Sequence, residues 1–177
     1  MFLDLHFHQL GEYLQNPDLV FEPFLTTRIG FVWKEGSPLA SEPLLHREAI
    51  SGYPVALSAN RETALLAERL FEQHPLRDVR MRATSPRLLL QYVQSSEQGV
   101  AFFDSFGFYL AKQHENIPTE GLRFTPLSTP QSFCQAGFLY PRRIRLTLHA
   151  RNTMNTLRNF LDEMCSDYFA AYPINVH

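Results

Sequence analysis

Apolar and polar positions in the middle of the chain predict three strands with a helix between each pair, in the order β-α-β-α-β. The runs GYPVALS (52–58) and GVAFFDSF (99–106) are mostly apolar, which is typical of strands buried on both faces. In DVRMRATS (78–85) apolar and polar residues alternate, which predicts a strand with one face in water. Asn60 is predicted to cap the helix that follows GYPVALS, and Ser85 the helix that follows DVRMRATS.

The two ends of the chain predict further strands and one long helix. Apolar runs predict strands at residues 1–7, 20–24, 28–33, 122–127 and 133–142. The stretch RNTMNTLRNFLDEMCSDYF has its apolar residues on one helical face, and the AAYPINVH that follows it predicts a tail. A short helix is predicted to start at Ser41, Glu42 and Pro43. The order of strands and helices indicates an α/β protein with a parallel or mixed sheet.

The composition is that of an ordinary globular protein. The chain has 177 residues, 45% of them hydrophobic, which fits one domain or two small lobes and excludes wholesale disorder. Its formal net charge of −2 makes it a poor candidate for binding nucleic acid through bulk charge. No apolar run reaches the roughly 18 residues of a membrane span, and Asp4 stands where a signal peptide would be basic. We therefore expect a cytoplasmic protein without membrane contact.

Charge is unevenly distributed between the two ends of the chain. Four acidic residues and no Lys or Arg precede Arg28, whereas residues 142–158 contain five arginines and no acidic residue. Opposite charges attract, so the two ends would complement each other if they meet in space, which is compatible with the first strand and the last helix packing in one lobe.

Candidate catalytic and metal-binding residues are few. His6 and His8 are two positions apart, so on a strand both would face the same side, as a two-histidine metal pair requires. Histidines without a metal are the favoured interpretation, because no other histidine has ligand spacing. Cys134 could act as a nucleophile, but its apolar strand favours a buried thiol, and neither it nor Cys165 belongs to a C-x-x-C motif. We predict reduced thiols, no catalytic residue, no metal and no cofactor.

Two strand-to-helix junctions carry small polar residues. They are ALSANRET (56–63) and ATSPRLL (83–89). The first N–H groups of a helix have no partner within the helix, and its dipole is positive at that end, so such a junction suits an anion or a carboxylate. In a doubly wound sheet these junctions lie at the carboxyl ends of the strands, where ligands bind. Plain helix capping explains the same residues equally well.

The order of these segments resembles the effector-binding domain of LysR-type transcriptional regulators. The resemblance is carried by RIGFVWKEGSPLA, GYPVALSANRETALLAERLF, VRMRATSPRLLLQYVQSSEQGVAFFDSF, GLRFTPL, FCQAGFLYPR and the helix at 152–164, with FLDLHF and PDLVFEPFLTTR before them. It covers nearly the whole chain and rests on the order and spacing of many short motifs. The chain departs from the family pattern at Ser37, where His is common, at Gln98, which replaces a Gly, and at Asp104, near a usual Pro.

The resemblance implies a two-lobed, periplasmic-binding-protein-like (type 2) fold with mixed sheets flanked by helices. The first lobe would hold residues 1–35 and 136–165, the second 36–135, and 166–177 would be a tail. The crossing segments would form a hinge of Trp33, Lys34 and Glu35 with Phe133, Cys134, Gln135 and Ala136. The first lobe would be incomplete, because the sequence contains no counterpart of the family's winged helix-turn-helix, linker helix or first strand-helix-strand unit.

The resemblance also implies a function. A small-molecule effector would bind between the lobes and bias the arrangement of subunits in a homo-oligomer, with DNA contacted only through the domain that this sequence lacks. The effector-binding residues would be Ser58, Asn60, Arg61, Thr84, Ser85, Phe103, Asp104 and Ser105, with His6 and Phe7 from the first lobe. Among them, Arg61 would suit an anionic effector.

Three alternatives stay open at this point. A free-standing small-molecule-binding protein would share the fold, although the chain shows no export signal. A small α/β enzyme would use His6, His8 or Cys134. A fragment of an assembly would cover its apolar residues Phe2, Leu3 and Phe7 with a partner chain or a second copy.

Overall fold

The contacts within a computed structural model of the chain divide it into two units. The model describes residues 16–113 and 115–172. The second unit is Arg28–Phe133, and the described part of the first unit is residues 16–27 with 134–172. The predicted strand at residues 1–7, with His6, Phe7 and His8, lies outside the described residues.

The second unit is built on a mixed sheet of five strands. The strands are β1 (Leu19–Lys34, of which this unit holds residues 28–34), β2 (Pro54–Ser58), β3 (Asp78–Ala83), β4 (Val100–Asp104) and β5 (Leu122–Pro126). Their order is β3-β2-β4-β1-β5. β2 is parallel to β3 and β4, whereas β1 is antiparallel to both β4 and β5. The predicted α/β class with a mixed sheet is confirmed.

Four helices belong to the second unit. They are α1 (Arg47–Ile50), α2 (Arg61–Leu70), α3 (Pro86–Ser95) and α4 (Ser105–Lys112), and short 3-10 turns occupy Pro38–Ser41 and Pro130–Ser132. The prediction of a helix starting at Ser41 was wrong. Leu45 is bound on both sides of Leu127, donating to the Pro126 carbonyl and accepting from the Ser128 N–H (both 2.9 Å), so the chain is extended there and α1 begins only at Arg47.

The core of the second unit explains why its central strands are apolar on both faces. Phe31, Phe71 and Phe102 meet edge to face, with ring centroids 5.5–6.4 Å apart. Val32, which follows Phe31 in β1, and Val55 in β2 are also fully buried. Aromatic groups packed in this way bury much surface and lock the relative positions of strand and helix.

The first unit combines a strand pair with one long helix. β6 (Phe133–Pro141) pairs with β1, and α5 (Leu148–Ala171) follows it. The acidic and the arginine-rich ends of the chain meet in this unit, where Arg143 contacts Asp18 at 3.1 Å and Arg158 forms an ion pair with Glu22. Arg142 adds a hydrogen bond from its Nε to the carbonyl of Pro17, at 2.8 Å.

The last helix is longer than predicted at both ends. The Thr147 hydroxyl accepts the Ala150 N–H at 3.2 Å and so caps α5 four residues before the predicted start at 151. Residues 166–169 are helical, as the apolar pattern of the stretch 151–169 predicts, and Ala170 and Ala171 continue the helix, so the tail that the resemblance implies from residue 166 is wrong there. Tyr168 fixes this end of the helix, because it is fully buried and donates its hydroxyl to Thr27 Oγ1 at 3.2 Å.

The first predicted crossing segment lies inside the second unit. The Trp33 indole N–H donates to Thr125 Oγ1 at 2.9 Å, and the Glu35 N–H donates to the Gly121 carbonyl at 2.8 Å, so both residues are bound to β5 and its preceding turn. The boundary in β1 falls earlier, between Thr27 and Arg28. The other boundary falls between Phe133 and Cys134, within the second predicted crossing. The functional lobes and the hinge stay predictions.

Gly30 lets the central strand lie close to β5, and its replacement tests that contact. A Cβ at Gly30 would overlap the Thr125 carbonyl oxygen and lie 2.6 Å from Pro126 Cα. We expect Gly30→Ala to lower the free energy of unfolding by about 1–3 kcal/mol, because the backbone of β5 must move. Urea denaturation measures this. Gly52→Ala is the control, since a Cβ there meets no atom within 4 Å, and an equal loss in both variants would contradict the close-approach argument.

Candidate functional site

Three helices of the second unit begin at one edge of its sheet. Because β2, β3 and β4 are parallel, their carboxyl ends share one edge, and Ser58 at the end of β2 is paired with Ala83 at the end of β3. α2, α3 and α4 each start within three residues of those ends. We call residues 58–61, 83–86 and 103–105 the carboxyl edge. It contains eight of the ten predicted effector-binding residues: Ser58, Asn60, Arg61, Thr84, Ser85, Phe103, Asp104 and Ser105.

Two of the helix caps at this edge leave their polar side chains unused by the helix. Asn60 and Ser85 have extended backbones at the N-cap positions of α2 and α3, yet neither side chain bonds a backbone N–H of its helix. The Ser58 hydroxyl accepts the Asn60 N–H at 3.2 Å and holds that turn. Arg61 and Thr84 are exposed. The positive ends of two helix dipoles therefore sit beside polar side chains that are available to a ligand.

The third junction at the edge is occupied by structural bonds. Asp104 Oδ1 accepts the Gly107 N–H at 2.7 Å and so caps α4. Ser105 is 2% exposed, and its hydroxyl accepts the backbone N–H of Arg28 at 3.1 Å. Phe103 is buried in the core. These three residues hold β4, α4 and β1 together, and their contact with an effector stays a prediction.

Arg28 lies next to the carboxyl edge, and the sequence reasoning missed it. It precedes Ile29, which is paired with Asp104, so it lies beside the start of α4. Its Nη2 donates to the Leu127 carbonyl at 2.8 Å, and its guanidinium lies 4.8 Å from the centre of the Phe133 ring. Its Nε is buried and has no hydrogen-bond partner in the described part of the chain. Burial lowers the pKa of the Arg28 guanidinium.

A signal for Arg28 was present in the sequence. It is the first Lys or Arg of the chain, and it interrupts the otherwise uncharged run FLTTRIGFVW in the middle of a strand. A cation is seldom placed inside a sheet without a binding or pairing reason. His46 is a second missed residue, whose Nδ1 lies 3.0 Å from the hydroxyl of Ser128, just beyond β5. No local pattern marked that pair, because its partners are 82 positions apart.

The predicted hinge residues have the following surroundings. Lys34 Nζ donates to the Gln94 carbonyl at 3.3 Å, and Glu35 forms an ion pair with Arg123. In β6, Cys134 is a buried thiol outside any disulfide, Ala136 is buried and Gln135 is half-buried.

The described residues provide no other obvious chemistry. Between residues 16 and 172, His114 excepted, no group of three His, Cys, Asp or Glu side chains could hold a metal ion. In the same part of the chain, no helix is long and apolar enough to cross a membrane. The carboxyl edge offers hydroxyl, amide and guanidinium groups at helix N-termini, which is an arrangement that binds anions.

Comparison with known proteins identifies relatives of the same architecture. A family model described as the LysR substrate binding domain matches residues 3–162. No curated protein sequence matches the chain significantly.

Several solved structures are similar to the chain. A putative LysR family transcriptional regulator from Pseudomonas aeruginosa (PA01 protein) has a TM-score of 0.63 at 17% identity, over 82% of this chain and 49% of that one. The CcmR regulatory domain of Synechocystis PCC6803, in complex with 2-PG, has a TM-score of 0.62 at 15% identity (82% and 68%). The QuiR effector binding domain, in complex with shikimate, has a TM-score of 0.60 at 10% identity (84% and 68%). The chain thus spans about half the length of the first relative.

Alanine variants of Ser85 and Ser105 test which serine of the carboxyl edge stabilises the fold and which is available to a ligand. We expect Ser105→Ala to lower the free energy of unfolding by about 1–3 kcal/mol, because the partly buried Arg28 N–H loses its acceptor. Ser85→Ala should change it by less than about 0.5 kcal/mol, since its side chain makes no cap bond. Chemical denaturation of both variants measures the difference. A loss at Ser85 as large as at Ser105 would show that Ser85 also serves the fold.

Proposed function

Because the chain belongs to the LysR substrate-binding domain family, we propose that it senses a small anionic effector at the carboxyl edge of its second unit. Families of this type are regulatory, so the chain is an effector-binding domain rather than a catalyst in this proposal. We also propose that it acts in the cytoplasm, within a homo-oligomer.

The unused caps at Asn60 and Ser85 are the observation that carries the proposal. At α4 the Asp104 side chain accepts a backbone N–H of the helix, so the fold itself supplies an acceptor for this helix start. At α2 and α3 the cap side chains make no such bond, although both helices start at the same edge. Such starts are suited to a ligand that supplies the missing acceptor.

The sign of the charge at this edge supports an anion. Arg61 is exposed in the first turn of α2, and Arg28 adds a half-buried guanidinium with an unpaired Nε. Guanidinium groups and helix N-termini both favour carboxylate or phosphate. Two structural relatives were solved with 2-PG and with shikimate, and we propose a small anion of that kind for this chain. The expectation that it lies between two lobes stays a prediction.

The regulatory step follows from linkage. An effector that binds one arrangement of the domain better than another shifts the population towards the arrangement that it prefers. We propose that this shift is passed to a DNA-binding domain outside these 177 residues and changes how the subunits present it to DNA. The size of the response is then limited by the difference in affinity for the two arrangements.

Alanine at Arg61 or at Ser85 tests the site. A thermal-shift screen of small carboxylates and phosphates, with 2-PG and shikimate among them, first identifies an anion that stabilises the wild-type chain. Saturating ligand at about 100 Kd stabilises by about 2.7 kcal/mol, and we expect either variant to lose most of this while its stability without ligand is unchanged.

The control for charge is Arg77→Ala. Arg77 is exposed and directly precedes β3, so it lies at the opposite edge of the sheet. That variant should respond to the anion as the wild type does. A full response from Arg61→Ala and Ser85→Ala would remove both residues from the site.

DNA binding by the purified chain gives a separate prediction. These 177 residues have a net charge of −2, and the family match assigns residues 3–162 to the effector-binding domain. We expect no sequence-specific shift of promoter DNA in a gel-shift assay at physiological salt, with or without effector. A specific shift that survives competitor DNA would contradict this division of roles.

A further inference from the structure

The first unit contains a polar cavity that the proposed effector site does not use. It has a volume of about 290 Å³, at the lower end of the range for ligand pockets. It lies among β1, β6 and α5, and its lining consists of Glu22, Tyr140, Leu146, Arg151, Met154, Asn155 and Arg158. All of these residues belong to the first unit, whereas the carboxyl edge belongs to the second.

One face of α5 supplies most of the polar lining. Arg151, Asn155 and Arg158 follow each other at intervals of four and three residues, which brings them onto the same side of a helix. Met154, between them in sequence, is buried and forms an apolar part of the wall. The helix therefore presents two guanidinium groups and an amide to a single cavity.

One of the two arginines is already neutralised. Glu22 accepts the Tyr140 hydroxyl at one carboxylate oxygen and Arg158 Nη2 at the other. These bonds, that of Tyr140 first and that of Arg158 next, lower the pKa of Glu22, so this carboxylate is ionised at neutral pH. Arg158 also lies over the Phe138 ring, 5.5 Å from its centre. The three side chains form a complete ion-pair cluster and hold β1, β6 and α5 together.

Arg151 is the second arginine, and the cluster does not need it. Its guanidinium has no hydrogen-bond or ion-pair partner within residues 16–113 and 115–172, and neither does the side-chain amide of Asn155. The charges of Glu22, Arg151 and Arg158 sum to +1. Among the described lining residues the only unneutralised charge is therefore the Arg151 guanidinium, which matches one singly charged carboxylate.

We propose that this cavity is a second ligand site, which binds a small monocarboxylate through Arg151 and Asn155. Leu146 and Met154 supply the apolar part of the lining, against which a short alkyl chain would pack. The site is independent of the carboxyl edge, so either could fail without the other. A purely structural ion-pair cluster would have no need of Arg151.

The test uses butanoate and its uncharged isostere butanamide on the whole 177-residue chain. Each is titrated at constant ionic strength, with the amide signals of residues 151–158 followed by nuclear magnetic resonance. We expect saturable shifts with butanoate and none with butanamide. Absence of saturable shifts with butanoate, or equal shifts with both compounds, would overturn the proposal.

Two arginine variants decide whether butanoate binds in the cavity or is only attracted by the positive charge of the arginine-rich stretch. Arg151→Ala should weaken butanoate binding about tenfold or more, as expected for losing a charge-assisted pair. Arg145→Ala removes the same charge from the same arginine-rich stretch but outside the cavity lining, and should leave the affinity within about twofold of wild type. Both arginines are exposed, so neither variant should change the unfolding midpoint. Equal weakening in both variants would overturn the proposal.

Discussion

Parallel pairing of β2 with β3 and with β4 is the constraint on which the second unit depends. Two parallel strands need a crossover between them, and here helices provide it, so each strand ends where a helix begins. The starts of α2, α3 and α4 therefore lie along one edge because of the pairing. Their polar caps become neighbours even though Asn60 and Asp104 are far apart in sequence. The site is in this sense a product of topology.

The three junctions at that edge show how similar residues take different roles. Asp104 reaches back to the Gly107 N–H, whereas Asn60 and Ser85 do not reach into their helices. Ser105 is buried, and its hydroxyl accepts the backbone N–H of Arg28 in β1. Small polar residues at helix starts thus divide into those that complete the fold and those that remain accessible. Only the hydrogen-bond partners distinguish the two groups.

Sequence patterns predicted well the parts of the molecule that depend on local contacts. Periodicity and capping preferences correctly place the strand at 54–58, the strand at 78–83 and the N-cap positions of α2 and α3. They wrongly predict cap bonds from the Asn60 and Ser85 side chains, which make none. Long-range contacts decided the rest. The bonds of Leu45 on either side of Leu127 keep the chain extended and delay α1, and the bond of Tyr168 to Thr27 fixes the last turns of α5. Arg28 was missed because its partners, Leu127 and Phe133, are about a hundred residues away.

The central position of β1 has a consequence for synthesis of the chain. β1 is made early, but its partners arrive late, since Phe31 pairs with Phe102 and with Thr125. At about 5–20 residues per second, a ribosome needs several seconds to supply those partners. During that time the segment FLTTRIGFVW is an unpaired, strongly strand-forming stretch whose only charge is Arg28. Arg28 therefore also interrupts a stretch of the nascent chain that is prone to aggregate, as gatekeeper charges do in other sheet proteins.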